Sequence, residues 1–162
     1  MIIMTQKILV LDMDGTIDNL YAVPDWHKCL YETLDATPYK IAQPIYDMRL
    51  FNAILSALRA QGWMIVIDTW LSRTKDDAFH AAIREAKLQW LENYKVPYDD
   101  LIMTDYGISK WETIQAKYPD AMKILVDDSA EVRADWKGYS IDGNANIILQ
   151  LAGLLMQPEY AD

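Results

Sequence analysis

The residues with the most chemical capacity in this sequence are carboxylates placed just after short apolar runs. Asp12 and Asp14 stand in Asp12-Met13-Asp14-Gly15-Thr16, directly after the run Lys7-Ile8-Leu9-Val10-Leu11. Asp68 and Thr69 follow Met64-Ile65-Val66-Ile67, and Asp127 and Asp128 follow Lys123-Ile124-Leu125-Val126. If these runs are strands of one parallel sheet, their carboxyl ends share an edge and the acids gather there. Gathered carboxylates repel, and a divalent cation among them relieves the repulsion. Mg2+ suits such a place, because it takes oxygen ligands, often one or two carboxylates together with a phosphate. Successive residues leaving a strand point different ways, so Asp12 and Asp14 can do different work. One can attack phosphorus, and the other can protonate a leaving oxygen and later take a proton from water. Gly15 permits a tight turn, and Thr16 can tie it by hydrogen bonds. The Thr69 hydroxyl can bond a phosphoryl oxygen, and a lysine can carry countercharge to the same group. Lys110, just after Ser109 at a helix start, is the best placed, with Lys75 and Lys117 as rivals. Arg73 and Lys75, in the polar loop beyond Thr69, either meet a substrate phosphate or face solvent.

The apolar runs are continuous rather than alternating, which predicts strands covered on both faces and hence a parallel sheet. Residues 101–104 and 139–141 add two further strands. Helical patterns lie between them. Leu50, Ile54, Leu55 and Leu58 share a face, with Gly62 as the stop. Asp76 to Tyr94 buries Phe79, Ile83, Ala86, Trp90 and Leu91, and Arg84, Glu85, Lys87 and Glu92 count as its polar residues. Ser109 to Tyr118 precedes Pro119, Ser129 opens a helix running through Trp136, and Asn144 or Asn146 caps the last helix, residues 147–156. The alternation predicts a doubly wound, three-layer α/β/α fold with right-handed crossovers. Residues 19–48 break it. They show no strand pattern, hold Pro24, Pro38 and Pro44, and are rich in aromatics: Tyr21, Trp26, Tyr31, Tyr39 and Tyr46. They read as a small cap inserted after the first strand of a single domain, residues 1–162, over the carboxyl edge of the sheet. Tyr21, Trp26, Tyr31 and Tyr46 either stack on a nucleobase or anchor the cap to the body.

Composition bounds the rest. The chain has 162 residues, 52% hydrophobic and 24% charged, which is enough apolar surface to bury a core and excludes disorder as the main state. The net charge of −9 argues against a broad basic face, so an extended nucleic acid is not an expected partner. Cys29 is the only cysteine, which excludes an internal disulfide, fits a reducing compartment and reads as a small buried hydrophobe. His27 and His80 have no metal-ligand company. The start lacks a signal-peptide pattern, and no run approaches the ~20 apolar residues that span a bilayer. The expectation is a soluble cytoplasmic protein without a membrane partner.

The set Asp12-Met13-Asp14-Gly15-Thr16, Thr69, Lys110 and Asp127-Asp128 resembles the haloacid dehalogenase superfamily of phosphohydrolases. The motifs occur in that family's order, from the first strand to the fourth, apart from the insertion. The resemblance implies that Asp12 forms an aspartyl-phosphate and Asp14 is the general acid and base. It implies phosphate binding by Thr69, Lys110 and the loop at Met13. Mg2+ would be held by Asp12, the Asp14 carbonyl and Asp128, with Asp127 supporting them. Asp68 departs from the pattern, which expects an apolar residue before Thr69. Within the superfamily the acidic pair and small cap look like the 5′(3′)-deoxyribonucleotidases, small phage-borne relatives and the phosphatase halves of polynucleotide repair enzymes. The implied substrate is a small phosphomonoester, first of all a nucleoside monophosphate. A polynucleotide 3′-phosphate, or a silent binding module on the same fold, are the alternatives, and intact Asp14 argues against the last. A signalling receiver also combines an acidic pair, a phosphorylated Asp, a Thr and a Lys. It places the acidic pair first, whereas here the pair comes last. A homodimer that closes the site is compatible with this reading.

Overall fold

In the computed structural model, which describes residues 4–157, the apolar runs form one five-stranded parallel sheet in the order β3-β2-β1-β4-β5. Its strands are β1 (Lys7–Leu11), β2 (Trp63–Trp70), β3 (Asp100–Thr104), β4 (Met122–Asp127) and β5 (Tyr139–Asp142). The helices are α1 (Trp26–Lys28), α2 (Thr37–Ile41), α3 (Met48–Ala60), α4 (Asp77–Asn93), α5 (Lys110–Lys117), α6 (Ala130–Asp135) and α7 (Ile147–Leu155). β1 is central because all five of its residues are apolar or tolerate burial, and every one is buried. Side chains alternate along it. Leu9 and Leu11 join Phe51, Leu55 and Leu58 of α3 and Leu151 of α7 in one core, while Ile8 and Val10 join Ile114 of α5 and Val132 of α6 in another. The sheet is therefore covered on both faces, as its continuous apolar strands require. The doubly wound α/β expectation holds.

Helix starts follow sequence capping rules. Asp47, Asp76, Ser109, Ser129 and Asn146 each accept a backbone N–H of the helix that follows. Asn146, rather than Asn144, caps α7. One strand boundary differs in a way that matters. β2 runs on to Trp70, so Asp68 and Thr69 lie inside the strand rather than beyond it. The reason is its second neighbour: β2 leaves β1 at Ile67 but continues beside β3 from Val66↔Asp100 to Trp70↔Thr104.

Between β1 and α3 the chain forms short helical turns rather than strands. Its two ends meet, since Asn19 donates to the Gln43 carbonyl (2.8 Å) and Ile45 to that of Ile17 (2.9 Å). Leu20, Leu30 and Tyr39 of this segment pack on Leu71 and on Phe79, Ile83 and Ala86 of α4, with half-buried Cys29 at the rim. α4 thus serves two cores: its first half supports the insertion, and Trp90 and Leu91 enter the main core. His80 is buried at the start of α4, with its Nε2 3.3 Å from the Ser72 carbonyl. Among the described residues no helix is long and apolar enough to cross a membrane.

Candidate active site

β1 is flanked by β2 on one side and β4 on the other, so the order in which strands are added to the parallel sheet reverses across it. In open α/β sheets the crevice at such a switch point, outside the strand carboxyl ends, is where ligands bind. Asp12 leaves β1 there, and Asp127 and Asp128 stand at the end of β4. The Asp12 loop is tight. The Met13 carbonyl accepts the N–H groups of Thr16, Ile17 and Asp18 at 3.0, 2.9 and 3.2 Å. Gly15 sits at φ +80°, and a Cβ there would lie 2.5 Å from Asp128 Oδ2 and 2.9 Å from Tyr21. Only glycine allows both that backbone and that approach.

Two buried lysines divide the carboxylates between them. Lys110 Nζ lies 2.8 Å from Asp12 Oδ1 and 2.8 Å from Asp127 Oδ2. Burial alone would lower the Lys110 pKa, but the charges of Asp12, Asp127 and Asp68 outweigh it and push it up. Lys87 Nζ lies 2.8 Å from Asp14 Oδ2, 2.6 Å from Thr69 Oγ1 and 2.8 Å from the Trp70 carbonyl. The two aspartates of the motif thus have separate cations. Thr16 Oγ1 lies 3.0 Å from Asp12 Oδ2 and 3.2 Å from Asp128 Oδ1, with one proton to give, and it accepts the Asp128 N–H (3.1 Å). Asp18, buried against Asp14, accepts the Leu20 N–H, and burial and the Asp14 charge raise its pKa well above the usual range.

The acids of β4 carry unrelieved charge. Burial and Asp12 push Asp127 up to about 6, although Lys110 and the Ser129 N–H pull the other way. Burial, Asp12 and Asp127 push Asp128 up to about 7. Asp12, Asp127 and Asp128 can each bring one carboxylate oxygen within 4.8 Å of the others. An all-oxygen donor set in which the Asp12 charge raises the proton affinity of both Asp127 and Asp128 fits a hard divalent cation such as Mg2+.

These groups floor a cavity of about 280 Å³. Tyr21, Trp26, Tyr31 and Tyr39 from the insertion line it, together with Trp70 at the end of β2 and Arg73 and Tyr106 from the loops after β2 and β3. The Arg73 guanidinium lies over the Tyr106 ring (4.5 Å) and donates to its hydroxyl (2.6 Å), which ties two lining residues together.

The structure brings most of the sequence candidates to one place, but not all. Asp12, Asp14, Lys110, Asp127, Asp128, Tyr21, Trp26 and Arg73 line the cavity. Thr69 stands beneath it, wholly buried behind Lys87, rather than in its lining. The Met13 side chain is in the main core, so only its backbone can serve the site. Tyr46 does not reach the cavity: its ring stacks on Phe51 and its hydroxyl donates to the Ala145 carbonyl (3.2 Å), which pins the insertion's return to the body. Lys75 is exposed outside the lining, and Lys117 pairs with Asp100 (2.6 Å) far along the sheet. Sequence reasoning missed Lys87, counting it among the polar residues of α4. The signal was its spacing, four residues from both Ile83 and Leu91 and hence on the buried stripe.

Comparison with known proteins adds the fold. No family profile matches the sequence, and no curated protein matches it either. Chains from two structures of the Pnkp1/Rnl/Hen1 RNA repair complex superpose with a TM-score of 0.56 at 17% and 18% identity, over 85% of this chain. This chain spans less than half of theirs, 46% and 42%. A protein of Mesorhizobium loti described as a HAD-like phosphatase matches with a TM-score of 0.44 at 18% identity, over 77% of this chain and 64% of its own. D,D-heptose 1,7-bisphosphate phosphatase from Burkholderia thailandensis matches with a TM-score of 0.42 at 14% identity, over 90% of this chain and 98% of its own. At 17% and 18% identity the likeness to the repair-complex chains is one of fold.

Proposed function

We propose that this chain is a Mg2+-dependent phosphomonoester hydrolase that works through an aspartyl-phosphate on Asp12. The observation that carries the proposal is the partition of charge at the switch point: Asp12 shares Lys110 with Asp127, while Asp14 is held apart by Lys87. One carboxylate is thereby set for attack and the other for proton transfer. An Asp12 oxygen bonds to phosphorus as the ester P–O bond breaks, and Asp14 gives its proton to the departing oxygen. Water then attacks the phosphoryl group, Asp14 takes the proton, and phosphate leaves with the Asp12 carboxylate restored. Lys110 faces the developing phosphoryl charge from the buried side. Mg2+ would be held by Asp12, Asp128 and the Asp14 carbonyl, with Asp127 in support, and it would supply neutralisation of substrate and carboxylate charge.

The aromatic lining supports a substrate with a flat group, a nucleoside monophosphate first. The insertion is small, and chains of similar fold belong to an RNA repair complex, which keeps a terminal phosphate on an oligonucleotide as the second reading. The net charge of −9 disfavours grip on a long backbone. The test is phosphate release, with and without Mg2+, from an aryl phosphate, nucleoside 5′- and 3′-monophosphates, sugar phosphates and end-phosphorylated oligonucleotides. Mg2+-dependent release from the mononucleotides is expected, and Asp12→Asn should abolish it in a protein that still melts cooperatively. No release from any substrate, or full activity in Asp12→Asn, refutes the proposal.

A further inference from the structure

Lys87 occupies a place where an apolar residue would pack as well. The buried stripe of α4 is Phe79, Ile83, Ala86, Trp90 and Leu91, and Lys87 belongs to it with a side chain only 1% exposed. Burying an ammonium costs several kcal/mol before its partners repay it, and well-packed apolar replacements of buried ion pairs are often neutral or stabilising. Stability is therefore a weak reason for a lysine here.

Its partners give a stronger one. An ammonium has three donors. Lys87 directs them to Asp14 Oδ2, Thr69 Oγ1 and the Trp70 carbonyl, all within 2.8 Å. Nothing is left to offer a substrate, and Lys87 is absent from the cavity lining, unlike Lys110. It cannot act as a second phosphate-binding cation. What it does is join two elements: Asp14 belongs to the loop after β1, and Thr69 and Trp70 belong to β2. The Tyr39 ring, 5.2 Å away, packs over the ammonium from the insertion and closes the place to water. A free aspartate on a loop would rotate about two side-chain bonds. This one is clamped from behind to the neighbouring strand.

We propose that Lys87 is a positioning residue that fixes the direction in which Asp14 presents its proton to the leaving oxygen. This rests on the reading of Asp14 as the proton donor in phosphoester hydrolysis. A consequence separates positioning from mere support of the fold. A nitrophenolate departs without a proton, whereas an alkoxide does not. In the step that breaks the ester, loss of the clamp therefore harms alkyl phosphates far more than activated aryl phosphates, whereas hydrolysis of phospho-Asp12 is common to both. A general structural fault lowers both alike.

The experiment measures kcat and KM with Mg2+ for wild type and Lys87→Met, on p-nitrophenyl phosphate and on a nucleoside 5′-monophosphate. A positioned acid contributes about 10²–10⁴-fold. The expected loss in kcat/KM, which reports the step that breaks the ester bond and not the later hydrolysis of phospho-Asp12, is about 100-fold on the alkyl ester and under about 10-fold on the aryl ester. In an Asp14→Asn background, Lys87→Met should cost nothing more, because the group it positions is gone. Where Lys87→Met melts below assay temperature, Lys87→Gln keeps a donor at the site and is read by the same ratio. Equal losses on the two substrates, or a full further loss in the Asp14→Asn background, overturn the role of Lys87 while leaving the hydrolase reading standing. A wild type that cleaves neither substrate overturns both.

Discussion

Asp68 offers the sharpest quantitative test of how this sheet edge is built. It is wholly buried, and neither of its carboxylate oxygens has a hydrogen-bond partner among the described residues. Burial pushes its pKa from the ordinary 3.8 to about 7; Lys110 pulls it down, and Asp12, Asp127 and Asp100 push it further up. The folded protein therefore holds a proton here that the unfolded chain releases, and stability falls as pH rises from about 4 to about 7. Three pH units at 1.36 kcal/mol each amount to about 4 kcal/mol between pH 4 and pH 8. Asp68→Asn removes the titration and keeps the shape. Its stability relative to wild type should rise across that range by up to about 4 kcal/mol, or about 8–16 °C in Tm for a chain of this size. Lys110 keeps its ion pairs with Asp12 and Asp127 in the variant. Thermal and urea unfolding of both proteins, with a chelator present and at several pH values, gives the difference directly. Other acids titrate in both proteins and cancel. A gap between the two proteins that stays flat from pH 4 to pH 8 refutes the reasoning.

What the sequence made legible follows from how local each signal is. The five strands read well because continuous apolar runs have few alternatives once Pro and Gly bound them, and the caps at Ser129 and Asn146 are local chemistry. The acids at the ends of β1 and β4 were legible because a parallel sheet brings such ends together whatever the side chains between them do. Three features were not. The length of β2 depends on a partner strand thirty-odd residues away, so Asp68 and Thr69 read as loop residues when they are strand residues. Tyr46 looked like its aromatic neighbours, but whether a ring faces the cavity or the body depends on how the insertion folds back, a contact with Ala145 and Phe51 that no spacing announces. Lys87 was hidden by its residue type. Charge argued for the solvent face, periodicity argued for the buried one, and burial won because Asp14 and Thr69 supply partners that the sequence places in other elements.

Three further outcomes are expected. Gly15→Ala should cost about 1–3 kcal/mol in unfolding and most of the phosphate release, since a Cβ at φ +80° would strike Asp128 and Tyr21; wild-type melting and turnover would refute that close approach. Tyr21→Ala should raise KM for a nucleoside monophosphate about 5- to 100-fold, the worth of one stacking contact, and barely change it for a small alkyl phosphate; equal effects on the two would remove the base-stacking role of the insertion. The last concerns the cation. Asp128 and Asp127 bind protons up to about 7 and about 6, so below those values Mg2+ must displace protons before it can bind. Binding to the folded chain raises Tm by mass action. The rise on adding Mg2+ should therefore be large at pH 8 and small at pH 5.5. Asp128→Asn should abolish it at both. Asp68→Asn should keep it, because Asp68 lies outside the cluster that Asp12, Asp127 and Asp128 form. A Mg2+ effect that ignores pH, or that survives in Asp128→Asn, would place the cation elsewhere and take with it the argument that unrelieved repulsion between Asp12 and the β4 acids is what draws it in.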